Sequence, residues 1–205
     1  GAANNGQREY RQTQSIKAFG SEDSTISTGG GNDSLSINVY SRPSNQFNVW
    51  SDHLNSFDDA GRGTGRRELS QVDDFGNGEA VGLLNSTVDL GSGDDVMNIV
   101  ASGFTFETYG RDWAGARRLR LVETETTSIS LRGSTIRLGN GNDHLSLSGG
   151  FTTSIVDGGA GKDVILLGNE SIRDYIYEES ILGFSITGNG NSLELSGIEE
   201  IRFMD

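Results

Sequence analysis

Leu138-Gly139-Asn140-Gly141-Asn142-Asp143-His144-Leu145-Ser146-Leu147 decides how this chain reads, because the same phrase is written three more times. Gly158-Gly159-Ala160-Gly161-Lys162-Asp163-Val164-Ile165-Leu166-Leu167 repeats it downstream. Upstream stand Thr28-Gly29-Gly30-Gly31-Asn32-Asp33-Ser34-Leu35-Ser36-Ile37 and Leu90-Gly91-Ser92-Gly93-Asp94-Asp95-Val96-Met97-Asn98-Ile99. Each copy has two glycines free to take positive φ, an aspartate at the exit, and an apolar alternation that reads as a short strand. Three copies are preceded by Ser24-Thr25-Ile26, Ser86-Thr87-Val88 and Ser134-Thr135-Ile136, which are strand-like again. Strand, glycine turn and strand make one repeating corner, and no window reads as a helix. The fold expected is all-β: a right-handed parallel β-helix or β-roll, a solenoid.

A glycine turn of this kind lets backbone carbonyls converge beside a carboxylate, which is how a hard, oxygen-seeking cation such as calcium is held. The candidate metal residues are Asp33, Asp95, Asp143 and Asp163, with carbonyls from Gly29, Gly31, Gly91, Gly93, Gly139, Gly141, Gly159 and Gly161. The phrase resembles the Gly-Gly-x-Gly-x-Asp-x-φ-x nonapeptide of RTX-type (hemolysin-type) calcium-binding repeat proteins. Gly158 to Leu166 matches every fixed position, whereas the other copies replace the first glycine with Thr28, Leu90 or Leu138. The tail, Asp174-Tyr175-Ile176-Tyr177 through Leu195 to Phe203, resembles the segment that closes such arrays. The resemblance implies calcium sandwiched between consecutive turns on one edge of a β-roll. It also implies export without a cleaved N-terminal signal peptide, with the address near the C-terminus.

Spacing departs from that family. Tandem nonapeptides complete one turn of the solenoid in about 18 residues, but the motif aspartates here lie 62, 48 and 20 residues apart. The last gap suits one complete turn, so Asp143 and Asp163 should stack. The longer gaps predict three and two turns of similar length with degenerate corners between, Asp73-Asp74-Phe75-Gly76-Asn77-Gly78 being a candidate corner. Fewer calcium ions than in a regular array follow from this.

The composition fits a thin all-β chain. Its 205 residues suit one domain, with 30 glycines, one proline, no cysteine and 33% hydrophobic residues. No apolar run approaches the roughly 18 residues of a membrane span, so none is expected. The net charge of −13 repels itself in the compact state, and divalent cations would relieve it and couple folding to metal. Residues 1–20 read as a polar tail or linker and residues 21–205 as the calcium-binding domain. An opening on Gly1 rather than Met predicts a processed or excised piece.

Two irregular insertions are expected, Ser41 to Gly82 and Gly103 to Arg118. The first holds Trp50, His53, Phe57, Asp58 and Asp59, the second Phe104, Tyr109, Arg111 and Trp113. Aromatic and arginine-rich loops suit surface polysaccharide or other protein subunits as partners. Catalytic signatures are missing: there is no His-Glu-x-x-His, no Gly-x-Ser-x-Gly, and Gly161-Lys162 runs into Asp163 rather than a phosphate-loop Ser or Thr. The acidic balance argues against nucleic acid. The function expected is a secreted or cell-surface, calcium-binding structural or adhesive module. Two alternatives stay open: a β-helix enzyme acting on polysaccharide through acids such as Asp58 and Asp74, and the folding and export tail of a larger secreted enzyme.

Overall fold

The structure is a computed structural model that describes residues 10–41, 72–113, 116–126, 128–168, 175–188 and 190–203. Among them the chain is all-β, and its strands come in units that repeat in the same order. The first unit is β1 (Tyr10–Glu22), β2 (Thr25–Ser27) and β3 (Ser34–Ser41). The second is β4 (Val72–Leu84), β5 (Thr87–Asp89) and β6 (Val96–Trp113), followed by β7 (Ala116–Thr126). The third is β8 (Ser128–Arg132), β9 (Thr135–Asn140) and β10 (His144–Ser148). The fourth is β11 (Gly150–Thr152), β12 (Ser154–Ala160) and β13 (Val164–Gly168). The chain then runs through β14 (Ile176–Glu179), β15 (Phe184–Gly188), β16 (Asn191–Ser196) and β17 (Glu200–Phe203).

Like strands of successive units lie side by side and parallel. Thr25 faces Thr87, Thr87 faces Thr135, and Thr135 faces Ile155. On the far side of the glycine turns, Leu35 and Leu145 face Met97, and Ile165 lies between Leu145 and Ile201. The result is a seven-stranded sheet through β2, β5, β9, β12 and β16, and a ten-stranded sheet that collects the outer strands of every unit. Alternation along each strand points one residue in two inward. Stacking therefore lines up Val88, Ile136 and Val156, and likewise Met97, Leu145 and Ile165, all fully buried in one core. Each contributes about 1.5–3 kcal/mol by leaving water.

The two ends differ. At the C-terminal end β15 adds antiparallel to β16 and β14 to β15. Tyr175 stacks on Phe151 with centroids 5.6 Å apart and tilts against Phe203 at 6.1 Å, so aromatic rings close the core there. At the N-terminal end Ile26, Leu35 and Ile37 are only partly buried.

Three expectations are corrected. Residues 10–20, read as tail, belong to β1, which pairs with β4 from Tyr10↔Val72 to Glu22↔Leu84. Asp73 to Gly78 is no degenerate corner but the first half of β4, held between β1 and an antiparallel stretch of β6. The second insertion is an ordered hairpin, β6 running antiparallel to β7 from Gly103↔Thr126 to Trp113↔Ala116. Its alternating Gly103-Phe104-Thr105-Phe106 continues the strand period of β6, and that period overrides the loop-like arginines. Residues 42–71, which hold Trp50, His53, Phe57, Asp58 and Asp59, lie outside the described residues, as do residues 1–9 and Asp174.

Candidate functional site

Two corners join the strands of each unit. At the first, a single residue takes the left-handed conformation: Asp23 (φ 48°), Asn85 (φ 47°), Gly133 (φ 58°) and Thr153 (φ 49°). The serine that follows locks the corner. Ser86, Ser134 and Ser154 each donate the hydroxyl to the carbonyl two residues back, at 2.9–3.0 Å. The same Oγ atoms accept the N–H of the preceding unit's serine: Ser24 to Ser86, Ser86 to Ser134 and Ser134 to Ser154, at 3.2–3.3 Å. Three members of this serine column were written in the sequence as Ser-Thr at a short strand, the fourth being Ser154-Ile155, but the bonding needs the stack to be visible.

The second corner is the glycine turn. Gly29, Gly31, Gly91, Gly93, Gly139, Gly141, Gly159 and Gly161 all have positive φ, between 90° and 140°. The turns also touch. A Cβ on Gly91, Gly139 or Gly159 would overlap the carbonyl oxygen of Gly29, Gly91 or Gly139 in the unit before, and one on Gly93, Gly141 or Gly161 that of Gly31, Gly93 or Gly141. Hydrogen bonds cross the same gap: Ser92 N–H donates to Gly29 C=O and Asn140 N–H to Gly91 C=O, both at 3.0 Å. Gly158 is the one glycine opening its turn where the other copies have Thr28, Leu90 or Leu138. A Cβ there would overlap the Gly197 carbonyl and sit 2.8 Å from Asp163 Oδ2. The closest match to the nonapeptide thus owes its first glycine to the closing segment.

The aspartates form a column. Asp33 N–H donates to Asp95 Oδ1 at 2.7 Å, Asp95 N–H to Asp143 Oδ1 at 2.7 Å, and Asp143 N–H to Asp163 Oδ1 at 2.9 Å. Asp163 N–H ends the series on Glu199 Oε2 at 2.7 Å. The turns of Asp33, Asp95 and Asp143 are therefore direct neighbours across gaps of 62 and 48 residues, with no intervening turns. A second series runs the other way one residue earlier: Asp94 N–H to Asn32, Asn142 N–H to Asp94 and Lys162 N–H to Asn142, at 2.8–3.1 Å. Sequence reading missed this series and Glu199. The polar residue before each motif aspartate, Asn32, Asp94 and Asn142, was the available signal.

The electrostatics of the column are unbalanced. The Oδ2 atoms of Asp33, Asp95, Asp143 and Asp163 are buried with no hydrogen-bond partner. Charges one strand spacing of about 4.8 Å apart repel by about 3–4 kcal/mol per pair at an effective dielectric of about 20. None of the ion pairs among the described residues reaches the column. Burial, followed by the neighbouring carboxylates, raises the Asp143 carboxyl above its ordinary range and pushes Asp163 up to about 6. Four inward-facing, unsatisfied carboxylate oxygens fit a hard cation. Among the described residues no three carboxylate or imidazole side chains converge, so the rest of its shell would fall to carbonyls of the glycine turns.

No family model, curated protein or solved structure matches the chain. Function therefore rests on this geometry alone. Among the described residues no helix is long and apolar enough to cross a membrane.

Proposed function

We propose that the stacked units are a β-solenoid of RTX-like kind, and that it is a calcium-binding structural or adhesive module acting outside the cell. The observation that supports this reading is the column of four buried, unpartnered Oδ2 atoms on adjacent glycine turns. Asp33, Asp95, Asp143 and Asp163 would hold the metal with turn carbonyls, and calcium would neutralise charge that the protein leaves uncompensated. Sites on extracellular modules bind calcium at about 10⁻⁴–10⁻³ M, concentrations met outside cells. Free calcium at about 100 times the dissociation constant would add about 2.7 kcal/mol per site. Contact with polysaccharide or partner subunits would fall to the β6–β7 hairpin.

A calcium titration of chelator-treated protein, followed by circular dichroism and melting with magnesium as control, tests this. A calcium-specific gain in structure or melting temperature is expected. A second reading is favoured by the glycines, whose positive φ and inter-unit contacts already explain why they are glycines. On that reading the turns are corners only, protons rather than calcium offset the burial of the Asp143 and Asp163 carboxyls, and the titration is flat.

A further inference from the structure

We infer that the closing segment completes a cation site of its own: Glu199 and the Gly197 carbonyl join Asp163 to hold the first calcium ion that the protein takes up. The inference rests on the calcium reading above and adds two ligands from outside the glycine turns.

Glu199 stands in line with the motif aspartates. Asp163 N–H donates to its Oε2 at 2.7 Å, just as Asp143 N–H donates to Asp163 Oδ1. The flanking strands keep register, Asp157 with Ser196 and Val164 with Glu200. Yet the five residues Gly158 to Lys162 of the fourth turn are answered by only two, Gly197 and Ile198. A turn this short cuts across the corner, and the extra methylene of Glu199 makes up the reach. The shortcut is fastened on both sides. Ser196 Oγ bonds Asp157 Oδ1 at 2.8 Å, and the Glu199 and Glu200 N–H groups donate to the Asp163 carbonyl at 3.2 Å.

This arrangement lines one space with oxygen. A Cβ on Gly158 would lie 1.9 Å from the Gly197 carbonyl oxygen and 2.8 Å from Asp163 Oδ2, so both oxygens converge on the place of the missing side chain. Asp163 is 0% exposed and its Oδ2 has no hydrogen-bond partner. In the second and third turns the same position carries Leu90 and Leu138, both fully buried, and hydrocarbon takes the space. Calcium binds carboxylate and carbonyl oxygens at about 2.3–2.6 Å, and a pair of oxygens around one point suits it. Protein cations do not compete: Lys162 and Arg202 both pair with Glu200, and Glu199 has no ion pair among the described residues. Glu199 is exposed, so the ion has a way in from solvent. Two carboxylates beside a fixed carbonyl make this the tightest position along the column.

The test is a calcium titration of the chelator-treated full chain, followed by calorimetry and by amide magnetic resonance. The first calcium is expected to shift the amides of Gly158, Gly197 and Glu199 before that of Gly31. Glu199→Gln keeps an acceptor for the Asp163 N–H and deletes the charge, and should weaken the first binding step by about tenfold or more. Glu178→Gln removes the same charge from exposed β14 and should leave that step unchanged. Calcium that shifts all four glycine turns together would overturn the inference, as would a first step that Glu199→Gln leaves intact; in both cases calcium binding itself stands. A chain that binds no calcium would overturn the inference together with the reading beneath it. The resonance measurement uses the unaltered protein, so it decides the matter independently of how the variants fold.

Discussion

Gly29 and Gly91 hold the same place in successive turns, yet a methyl group meets different surroundings at each. At Gly29 (φ 99°) nothing lies within 4 Å of an added Cβ, so Gly29→Ala is expected to cost only backbone strain, about 1–2 kcal/mol. At Gly91 the same methyl overlaps the Gly29 carbonyl, and the two turns must separate. Gly91→Ala should lose more than about 3 kcal/mol in denaturant unfolding; equal losses at the two sites would reject the stacked-turn packing. Asp143→Asn keeps an Oδ1 for the Asp95 N–H while deleting the charge. Its expected outcome is unchanged or higher melting without calcium, and a weakened response to calcium. Asp163 sets the sign of the pH dependence. Its folded carboxyl, at about 6 against an ordinary 3.8, holds its proton more tightly than the unfolded chain does. Stability from this group is full below about pH 4 and falls by about 3 kcal/mol as pH rises through 6. Glu79 runs the other way: the Lys17 hydrogen bond, then Arg132, lowers its carboxyl, so its contribution is lost on acidification. Thermal scans of chelated protein should therefore show higher melting at about pH 5 than at about pH 7.5.

At the scale of the element, corners and strands were legible in the sequence and their neighbours were not. Gly-x-Gly-x-Asp announces a turn because positive φ is a local demand, and Leu145-Ser146-Leu147 announces a strand because alternation is local too. Nothing local states that Asp95 lies beside Asp33, 62 residues away. The β6–β7 hairpin leaves a unit and returns without adding a layer, and the turns of Asp33 and Asp95 are direct neighbours, so arithmetic on the gaps overcounted the turns. The serine column was hidden for the same reason: one hydroxyl satisfies its own corner and the one before. Ser134→Ala removes the acceptor of the buried Ser86 N–H, and an unfolding free energy lower by about 1–3 kcal/mol is expected. A neutral result would show that the left-handed corner stands without its serine.

Across the whole molecule, the like-to-like contacts shorten steadily towards the C-terminus, with separations of 62, 48 and 20 residues along the aspartate column. Closing a 62-residue loop rather than a 20-residue one costs about 1 kcal/mol more in chain entropy. The last units also have their aromatic lid, Tyr175 between Phe151 and Phe203, whereas Ile26 and Leu35 of the first remain half open. Order should therefore be acquired backwards. In pulsed hydrogen exchange during refolding, amides of Leu145 and Ile165 are expected to gain protection before that of Leu35. A chain built this way is a zipper whose slider starts at its aromatic-capped end: the units beside Tyr175 and Phe203 supply the template on which the earlier ones settle.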